Sequence, residues 1–441
     1  MDTKKYSWAI LAGGLGTRIE KISNQKPKSL MIVDGKTLLE RQIDLLTSNG
    51  VNEIHLLLGY RAQQIIDFVR SLPKPTNVNI HFHIEDIPLG TGGALLSFLK
   101  TSPGIIGVSH GDLYIDTDIS QFINKVINTN CDWGQIVHPS SHVFDSDIVV
   151  TNESQRILAY ALKPHGSSLK FRNLTNAGIY FFKTDFANAA IAYFREVVSP
   201  FDLDRDLLPR LLELGFKGYG YEDIGTCMDV GTPERINKFD LWLKSDPFRG
   251  RIRPMVFIDR DGIINEDTGW ISSIDDFKMY SDVPSSIAHL NNLGVRVVIV
   301  TNQPVVARGD ISLVELSKLH IHLESLLAKD SAYVDGIYFC PHHPVSGFLN
   351  EVASLKRDCF CRKPEIGLFL SALEKFPTDL SRAFMIGDSW RDEKASQKLG
   401  ISFLPTRNYL PETNEGTVKQ KIYFKDLKTA VEHITKILKT N

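Results

Sequence analysis

Short apolar runs alternate with longer amphipathic stretches from Ser7 onward. "WAILA", "EIHLLLG", "NIHFHI" and "GIIGVSHGD" predict strands, and Thr37–Ser48, Ala62–Arg70 and Gly93–Lys100 predict the helices between them. Such alternation implies a largely parallel sheet with helices on both faces. Near Lys244 the periodicity stops in "KSDPFRGRIRP", a charged run with Gly and Pro that reads as a linker. A second alternation follows: "MVFIDRDG", "VRVVIVTNQ", "VDGIYFC", "RAFMIGDS" and "ISFLPT" as strands, Ser312–Leu327 and Ile366–Lys375 as helices, and Lys425–Leu438 as a closing amphipathic helix. The pattern predicts an α/β chain of two Rossmann-like three-layer domains in series, residues 1–245 and 253–441, joined by a linker at 246–252.

Composition narrows the partners. The 441 residues are 43% apolar and 23% charged, enough for two cores, and the formal net charge is −2. That balance gives no electrostatic basis for a nucleic-acid partner. No apolar run reaches the roughly 20 residues that span a bilayer, so no membrane role is expected. "MDTKKYSWAILAGGLGTR" has lysines before an apolar run, as secretory signals do. Its glycines and Arg18 instead predict a first strand. Five cysteines, three of them within Cys340–Cys361, do not form a disulfide framework for so long a chain, and a reducing cytoplasm is the expected location. A homo-oligomer is left open.

Chemistry concentrates at the predicted strand ends. "MVFIDRDGIIN" delivers Asp259 and Asp261 at the edge where open α/β sheets bind ligands. Two carboxylates there suit metal-assisted phosphoryl transfer, one attacking phosphorus and one protonating the leaving oxygen. Thr301 ends "VIVTNQ", Lys363 follows "CR", and Asp388 ends "MIGDS" with Asp392 one helical turn on. A cation and a lysine offset the repulsion between a carboxylate nucleophile and an anionic phosphate. "CPHHP" and "CFCRKP" add Cys340, His342, His343, Cys359 and Cys361, of which the three thiolates and one imidazole make a Cys3His set for structural Zn2+. A redox pair is the weaker reading, because Cys-x-Cys is not Cys-x-x-Cys. Buried free thiols would not account for the interleaved histidines.

The ordered set Asp259/Asp261, Thr301, Lys363 and Asp388, over about Arg253–Leu410, resembles the haloacid dehalogenase superfamily of phosphatases. The resemblance implies Asp259 as nucleophile, Asp261 as general acid and base, and Mg2+ held by Asp259, the Asp261 carbonyl and Asp388. The zinc loop is similar to the branch containing heptose bisphosphate and histidinol phosphatases. That branch implies Cys340, His342, Cys359 and Cys361 as ligands, with His343 left over. Asn302, Arg308 and Arg362 are expected at the substrate. Pro304 and Val305 depart from the small residues of that branch.

In the first half, "LAGGLGTR" follows the first strand, and Gly13 and Gly14 let backbone amides approach phosphates while Arg18 adds a cation. "KPKSL", "IEDIPLGTGGAL", "VSHGD", "LTNAGIY" and "MDVGTPE" complete a set that resembles the sugar-1-phosphate nucleotidyltransferases over about Lys4–Leu243. The resemblance implies a nucleotidyltransferase fold, Arg18 and Lys28 at the triphosphate, Asp112 and Asp229 on Mg2+, Glu85 to Gly92 (with Gly90) beside the nucleoside, and Lys163 and Asn176 at the sugar phosphate. Leu162 stands where that family often carries an acidic residue. The overall pattern is similar to the heptose-1-phosphate guanylyltransferase branch, which implies GTP. Joined, the two resemblances meet at consecutive steps. Removing the 7-phosphate of heptose 1,7-bisphosphate yields a sugar 1-phosphate, the acceptor a guanylyltransferase needs to make GDP-D-glycero-α-D-manno-heptose. Another hexose, or one half acting as a non-catalytic scaffold, is the alternative expectation.

Overall fold

A computed structural model describes residues 6–14, 26–73, 78–101, 104, 106–194, 200–222, 225–229, 239, 252–269, 271–410 and 422–440. All but Ile252 of the expected linker lies outside these residues. The chain forms two compact units. Met1–His138, Ser146–Lys163 and Leu174–Ser245 make up the first; Pro139–Asp145, Pro164–Asn173 and Asp246–Asn441 make up the second.

The first unit is built on β1 (Ser7–Leu11), α1 (Leu38–Ser48), β2 (Glu53–Leu58), α2 (Ala62–Ser71), β3 (Asn79–Ile84), α3 (Gly90–Thr101) and β4 (Ile106–His110). These four strands are parallel in the order β4-β1-β2-β3. Alternation along β1 fills both faces: Trp8 and Ile10 join one core with α1, α2 and α4 (Ile119–Ile127), while Ala9 and Leu11 join the other with α3. Connections leave β1 to β2 on one side and reach β4 on the other, so a crevice opens beyond its carboxyl end.

The rest of this sheet is largely antiparallel, contrary to expectation. β5 (Leu113–Asp116) leaves the sheet; β6 (Trp133–His138), β7 (Ile148–Thr151), β8 (Ile157–Ala161), β9 (Thr175–Phe182) and β10 (Gly218–Glu222) extend it, with β9 antiparallel to both β4 and β6. β7 and β8 form a hairpin whose turn is held by Asn152 Oδ1, which accepts from the Ser154 and Arg156 amides. Antiparallel neighbours need only such short connections, whereas a parallel pair needs a long crossover. β11 (Thr226–Asp229) pairs with β5 in a separate two-stranded ladder.

The second unit has a wholly parallel five-stranded sheet, β14-β13-β12-β15-β16. In chain order these are β12 (Met255–Ile258), β13 (Arg296–Asn302), β14 (Gly336–Cys340), β15 (Ala383–Ser389) and β16 (Ser402–Leu410). All four β12 residues are fully buried, as a central strand covered on both faces requires. The covering helices include α7 (Val283–Asn292), α9 (Leu313–Ala328), α10 (Gly367–Lys375), α11 (Trp390–Leu399) and α12 (Leu427–Thr440), after α5 (Thr184–Tyr193) and α6 (Leu208–Glu213) of the first unit; α8 (Pro304–Arg308) is a short turn after β13. Ser312 and Glu315 form a reciprocal capping box at the start of α9. Strand order reverses at β12, which again puts a crevice at its carboxyl end. Phe257 of β12 meets Phe369 of α10 edge-to-face at 4.9 Å. Phe257→Ala should cost about 3–5 kcal/mol and lower the melting transition of the second unit in calorimetry.

Candidate active sites

The second unit's site gathers at the carboxyl end of β12. Asp259 follows that strand, Asp388 lies near the end of β15, and Asp392 sits in the first turn of α11; one oxygen of each lies within 4.8 Å of the others. Lys363 Nζ is 2.8 Å from Asp259 Oδ1 and 2.6 Å from Asp392 Oδ1, and it donates to the Val300 carbonyl at 2.8 Å. The lysine is 2% exposed. Burial alone would pull its pKa down, but the two carboxylates outweigh burial and hold it above its usual value. Burial pushes the Asp259 carboxyl well up, with Lys363 opposing and the other two acids adding. Asp388 is pushed up to about 7, by burial first and Asp392 second. Fully ionised, the three carboxylates exceed the one ammonium they face by two charges, which is the charge of one divalent cation. An all-oxygen donor set of this kind suits a hard cation. Gly262, at φ +80°, makes the convergence possible, because a Cβ there would lie 1.8 Å from Asp388 Oδ2.

Asp261 is held apart from this group. Its Oδ1 accepts from Arg260 Nε and Asn265 Nδ2 (both 3.0 Å), and its Oδ2 from Arg260 Nη2 (3.1 Å) and Gln303 Nε2 (2.7 Å). The same Gln303 nitrogen donates to Thr301 Oγ1 at 2.8 Å, and Gln303 Oε1 accepts from Arg260 Nη2 at 2.8 Å. Arg260 and Gln303, both essentially buried, were not singled out by sequence; Gln303 was adjacent to the "TN" that was. Asp392, noted only as one turn beyond Asp388, belongs to the charged group itself. Its Oδ2 also accepts from the Ser389 amide and hydroxyl, fixing the start of α11.

Asn302, expected at the substrate, spends both ends on the Lys363 main chain: Nδ2 donates to Lys363 O at 3.0 Å and Oδ1 accepts from Lys363 N at 2.9 Å. Arg362 donates to the His342 carbonyl at 3.2 Å, and the Arg308 guanidinium lies 5.1 Å from the Phe348 ring centre. Cys340, His342, Cys359 and Cys361 converge. Five of the six separations between their Sγ and Nδ1 atoms are 3.2 to 3.7 Å, and all four residues offer ligand atoms within 4.8 Å of one another. A tetrahedron with metal–sulfur bonds of about 2.3 Å has edges of roughly 3.7 Å, so the four atoms fit around one ion. His343 points elsewhere, its Nδ1 3.1 Å from the Val345 carbonyl.

In the first unit, the crevice beyond β1 and β4 carries Ala12–Gly14 and Asp112. Gly13 packs against Gly59, whose nitrogen would lie 3.0 Å from an added Cβ. Lys28 Nζ is 3.6 Å from Asp112 Oδ2. The turn bearing Asp112 is clamped by buried Gln42, whose Nε2 donates to the His110 and Leu113 carbonyls at 2.9 and 3.0 Å. Gln42 is itself fixed through Ser109, which accepts from Trp8 Nε1. Sequence reading passed over Gln42, since a glutamine within an amphipathic helix carries no signal of its own. The β5–β11 ladder sets Asp229 opposite Leu113, next to Asp112; its side chain, and the whole of Arg18, lie outside the described residues. Glu85 accepts from the Leu89 amide at 3.1 Å, and burial raises its pKa. Gly90 is at φ +75° against the Phe201 carbonyl, which an added Cβ would meet at 2.4 Å. The Lys163 amide donates to Asp147 at 2.9 Å, and the Lys163 side chain is exposed. Asn176 joins a polar cluster with Asp204, Tyr180, Gln135 and His110 that the sequence did not reveal.

Two family profiles match the chain: nucleotidyl transferase over residues 9–242 and HAD-hydrolase-like over 360–428. The D-glycero-beta-D-manno-heptose-1,7-bisphosphate 7-phosphatase of Vibrio cholerae is 32% identical over 188 residues, 42% of this chain and 99% of that protein. The enzyme of the same name from Photorhabdus laumondii is 38% identical over 153 residues, 34% of this chain and 79% of its own. The solved structure of HddC from Yersinia pseudotuberculosis, complexed with GMP-PN, is 27% identical, with a TM-score of 0.45, covering 54% of this chain and 99% of that one. The chain thus belongs to the nucleotidyl transferase family through its first half and, through its second, to the HAD-type phosphatase family that includes these 7-phosphatases.

Proposed function

We propose that residues 253–441 remove the 7-phosphate of heptose 1,7-bisphosphate and that residues 1–245 transfer GMP from GTP to the resulting heptose 1-phosphate, giving GDP-D-glycero-α-D-manno-heptose and pyrophosphate. The observation that carries the reading is the buried Lys363 ammonium between Asp259 and Asp392, beside Asp388. A structural ion pair does not need three carboxylates for one lysine; a site that must hold a cation against phosphoryl oxygens does.

The phosphatase step follows from those positions. An Asp259 oxygen forms a bond to phosphorus as the bond from phosphorus to the sugar oxygen breaks, and the Asp261 proton goes to that oxygen. Water then attacks the aspartyl-phosphate, Asp261 accepts its proton, and inorganic phosphate leaves with Asp259 restored. The Thr301 hydroxyl holds a phosphoryl oxygen, and the Lys363 ammonium, its three N–H groups already committed, offsets phosphoryl charge. Mg2+ held by Asp259, the Asp261 carbonyl and Asp388 supplies charge neutralisation. Asn302 and the Cys340/His342/Cys359/Cys361 knuckle, as a structural Zn2+ site, keep the Lys363 main chain in place from either side. Arg308 and Arg362 face the distal part of the substrate.

Transfer needs no protein nucleophile. The sugar phosphate oxygen is already anionic, bonds to the α-phosphorus of GTP and displaces pyrophosphate in line. Gly13, Gly14, Arg18 and Lys28 cradle the triphosphate, Asp112 and Asp229 hold Mg2+, Glu85 and Gly90 border the nucleoside, and Lys163 approaches the sugar phosphate.

Incubation with heptose 1,7-bisphosphate of either anomer, GTP and Mg2+ should release inorganic phosphate and form a GDP-heptose identifiable by mass; phosphate release only from hexose bisphosphates would sink the sugar assignment. Asp259→Asn should abolish phosphate release and leave transfer from GTP to heptose 1-phosphate intact, while Asp112→Ala should do the reverse. Loss of both activities in either folded variant would refute independent sites. Metal analysis should find zinc in the purified protein and lose it in Cys359→Ser. That variant's phosphatase turnover should fall by roughly 10–100-fold while transfer continues.

A further inference from the structure

Asn176 is the residue the family pattern places at the sugar, yet its hydrogen-bonding capacity is already used. Nδ2 donates to Tyr180 OH at 2.7 Å and to Asp204 Oδ1 at 2.8 Å. Oδ1 accepts from the Gly178 amide at 3.0 Å and from Gln135 Nε2 at 3.4 Å. An amide has two donors and one carbonyl with two lone pairs, so nothing remains for a ligand. The backbone explains the arrangement. The β9–β6 register shifts between Asn176 and Tyr180, and Gly178 sits at φ +73°, a bulge that turns Asn176 and Tyr180 toward the same carboxylate.

That carboxylate is Asp204. It comes from a single π-helical turn, Leu203–Leu207, begun by Asp202, whose Oδ1 accepts from the Asp204 and Arg205 amides. Tyr180 OH and Asn176 both donate to Oδ1. Oδ2 has only the His110 ring nitrogen at 3.8 Å, beyond hydrogen-bond length, and no closer donor among the described residues. The side chain keeps 18% of its surface exposed, and the facing His110 stands two residues before Asp112, whose Oδ2 is 3.6 Å from Lys28 Nζ. Burial raises the Asp204 carboxyl to about 6, with His110 and Tyr180 pulling the other way. Its Oδ2 is short of one donor. A neutral hydroxyl is the group that fits: a second phosphate would be repelled, and a cation would draw no benefit from the tyrosine that aims the acid.

We propose that Asp204 Oδ2 accepts a hydrogen bond from a ring or side-chain hydroxyl of the sugar 1-phosphate acceptor, and that Asn176 and Tyr180 are positioning residues that aim it. The inference rests on the nucleotidyl transfer proposed above and names the residue that reads its sugar. A site built to pair a hydroxyl discriminates strongly against a group that cannot supply one.

The test is steady-state kinetics of transfer on the full chain, with heptose 1-phosphate and GTP varied separately. Asp204→Asn keeps the oxygen that Tyr180 and Asn176 address and turns the free acceptor into a donor. It should raise the KM for sugar phosphate roughly tenfold or more and leave the KM for GTP within about twofold, since a buried polar mismatch is worth about 1–3 kcal/mol. Tyr180→Phe should give a smaller shift of the same kind. An unchanged melting transition of the first unit in calorimetry reports that each variant is folded. An unchanged sugar KM in Asp204→Asn, or equal changes for sugar and GTP, would overturn the assignment of Asp204 alone. Failure of the unmodified protein to transfer GMP to any sugar phosphate would instead overturn the reading on which it rests.

Discussion

Burying an ammonium costs several kcal/mol unless oppositely charged groups meet it with good geometry, and the second unit is organised around meeting that cost at Lys363. The nitrogen has Asp259 on one side, Asp392 on the other and the Val300 carbonyl as a third acceptor. Each partner comes from a different element: the end of β12, the first turn of α11, and the interior of β13. The Lys363 main chain is tied to the end of β13 by the amide of Asn302. A lysine so fixed cannot relax to follow charge that develops on a phosphoryl group. It is pre-set, which is the condition for electrostatic stabilisation without reorganisation.

The excess of carboxylates over that lysine is what turns a buried ion pair into a reaction site. Asp259 and Asp388 both resist ionisation because burial and their neighbours disfavour a further negative charge. A divalent cation removes that conflict, and the glycine at 262 clears the space for the chain to approach Asp388. Asp261 is served separately by Arg260, Asn265 and Gln303, so the two acids that begin two residues apart in sequence sit in different electrostatic surroundings. In the proposed phosphatase step, that separation would let Asp259 act as nucleophile and Asp261 exchange a proton.

The first unit meets the same demand with a lighter scaffold. Asp112 is carried on a turn held by Gln42 from the neighbouring helix, and Lys28, at the start of a short 3-10 turn (Lys28–Leu30), approaches it. Substrate phosphates and their counter-ions supply most of the charge in such a reaction, so the protein contributes positions more than fixed charge. The polar cluster around Asp204 is the exception, a set of neutral donors converging on one carboxylate.

Sequence by itself determined the two α/β halves, the strand ends and the motifs that follow them. Apolar runs of four to seven residues bounded by Asp, Thr or Gly are local signals, and β12, β13 and β15 lie where those signals put them. It also marked the thiol and imidazole spacing of Cys340, His342, Cys359 and Cys361, because metal ligands are clustered in sequence as well as in space. Tertiary structure alone decided the pairing of strands β6 to β9, because the turn between β7 and β8 and the longer segments before and after that hairpin carry no local pattern naming a partner strand. It alone decided that Asn302 serves the Lys363 backbone, that Gln303 and Arg260 orient Asp261, and that Asp204 meets Tyr180 from 24 residues away. The physical reason is common to all of them. A strand's period and a motif's spacing are properties of neighbouring residues, whereas a buried hydrogen bond between distant side chains depends on which faces the packed elements turn toward each other, and no local pattern carries that information.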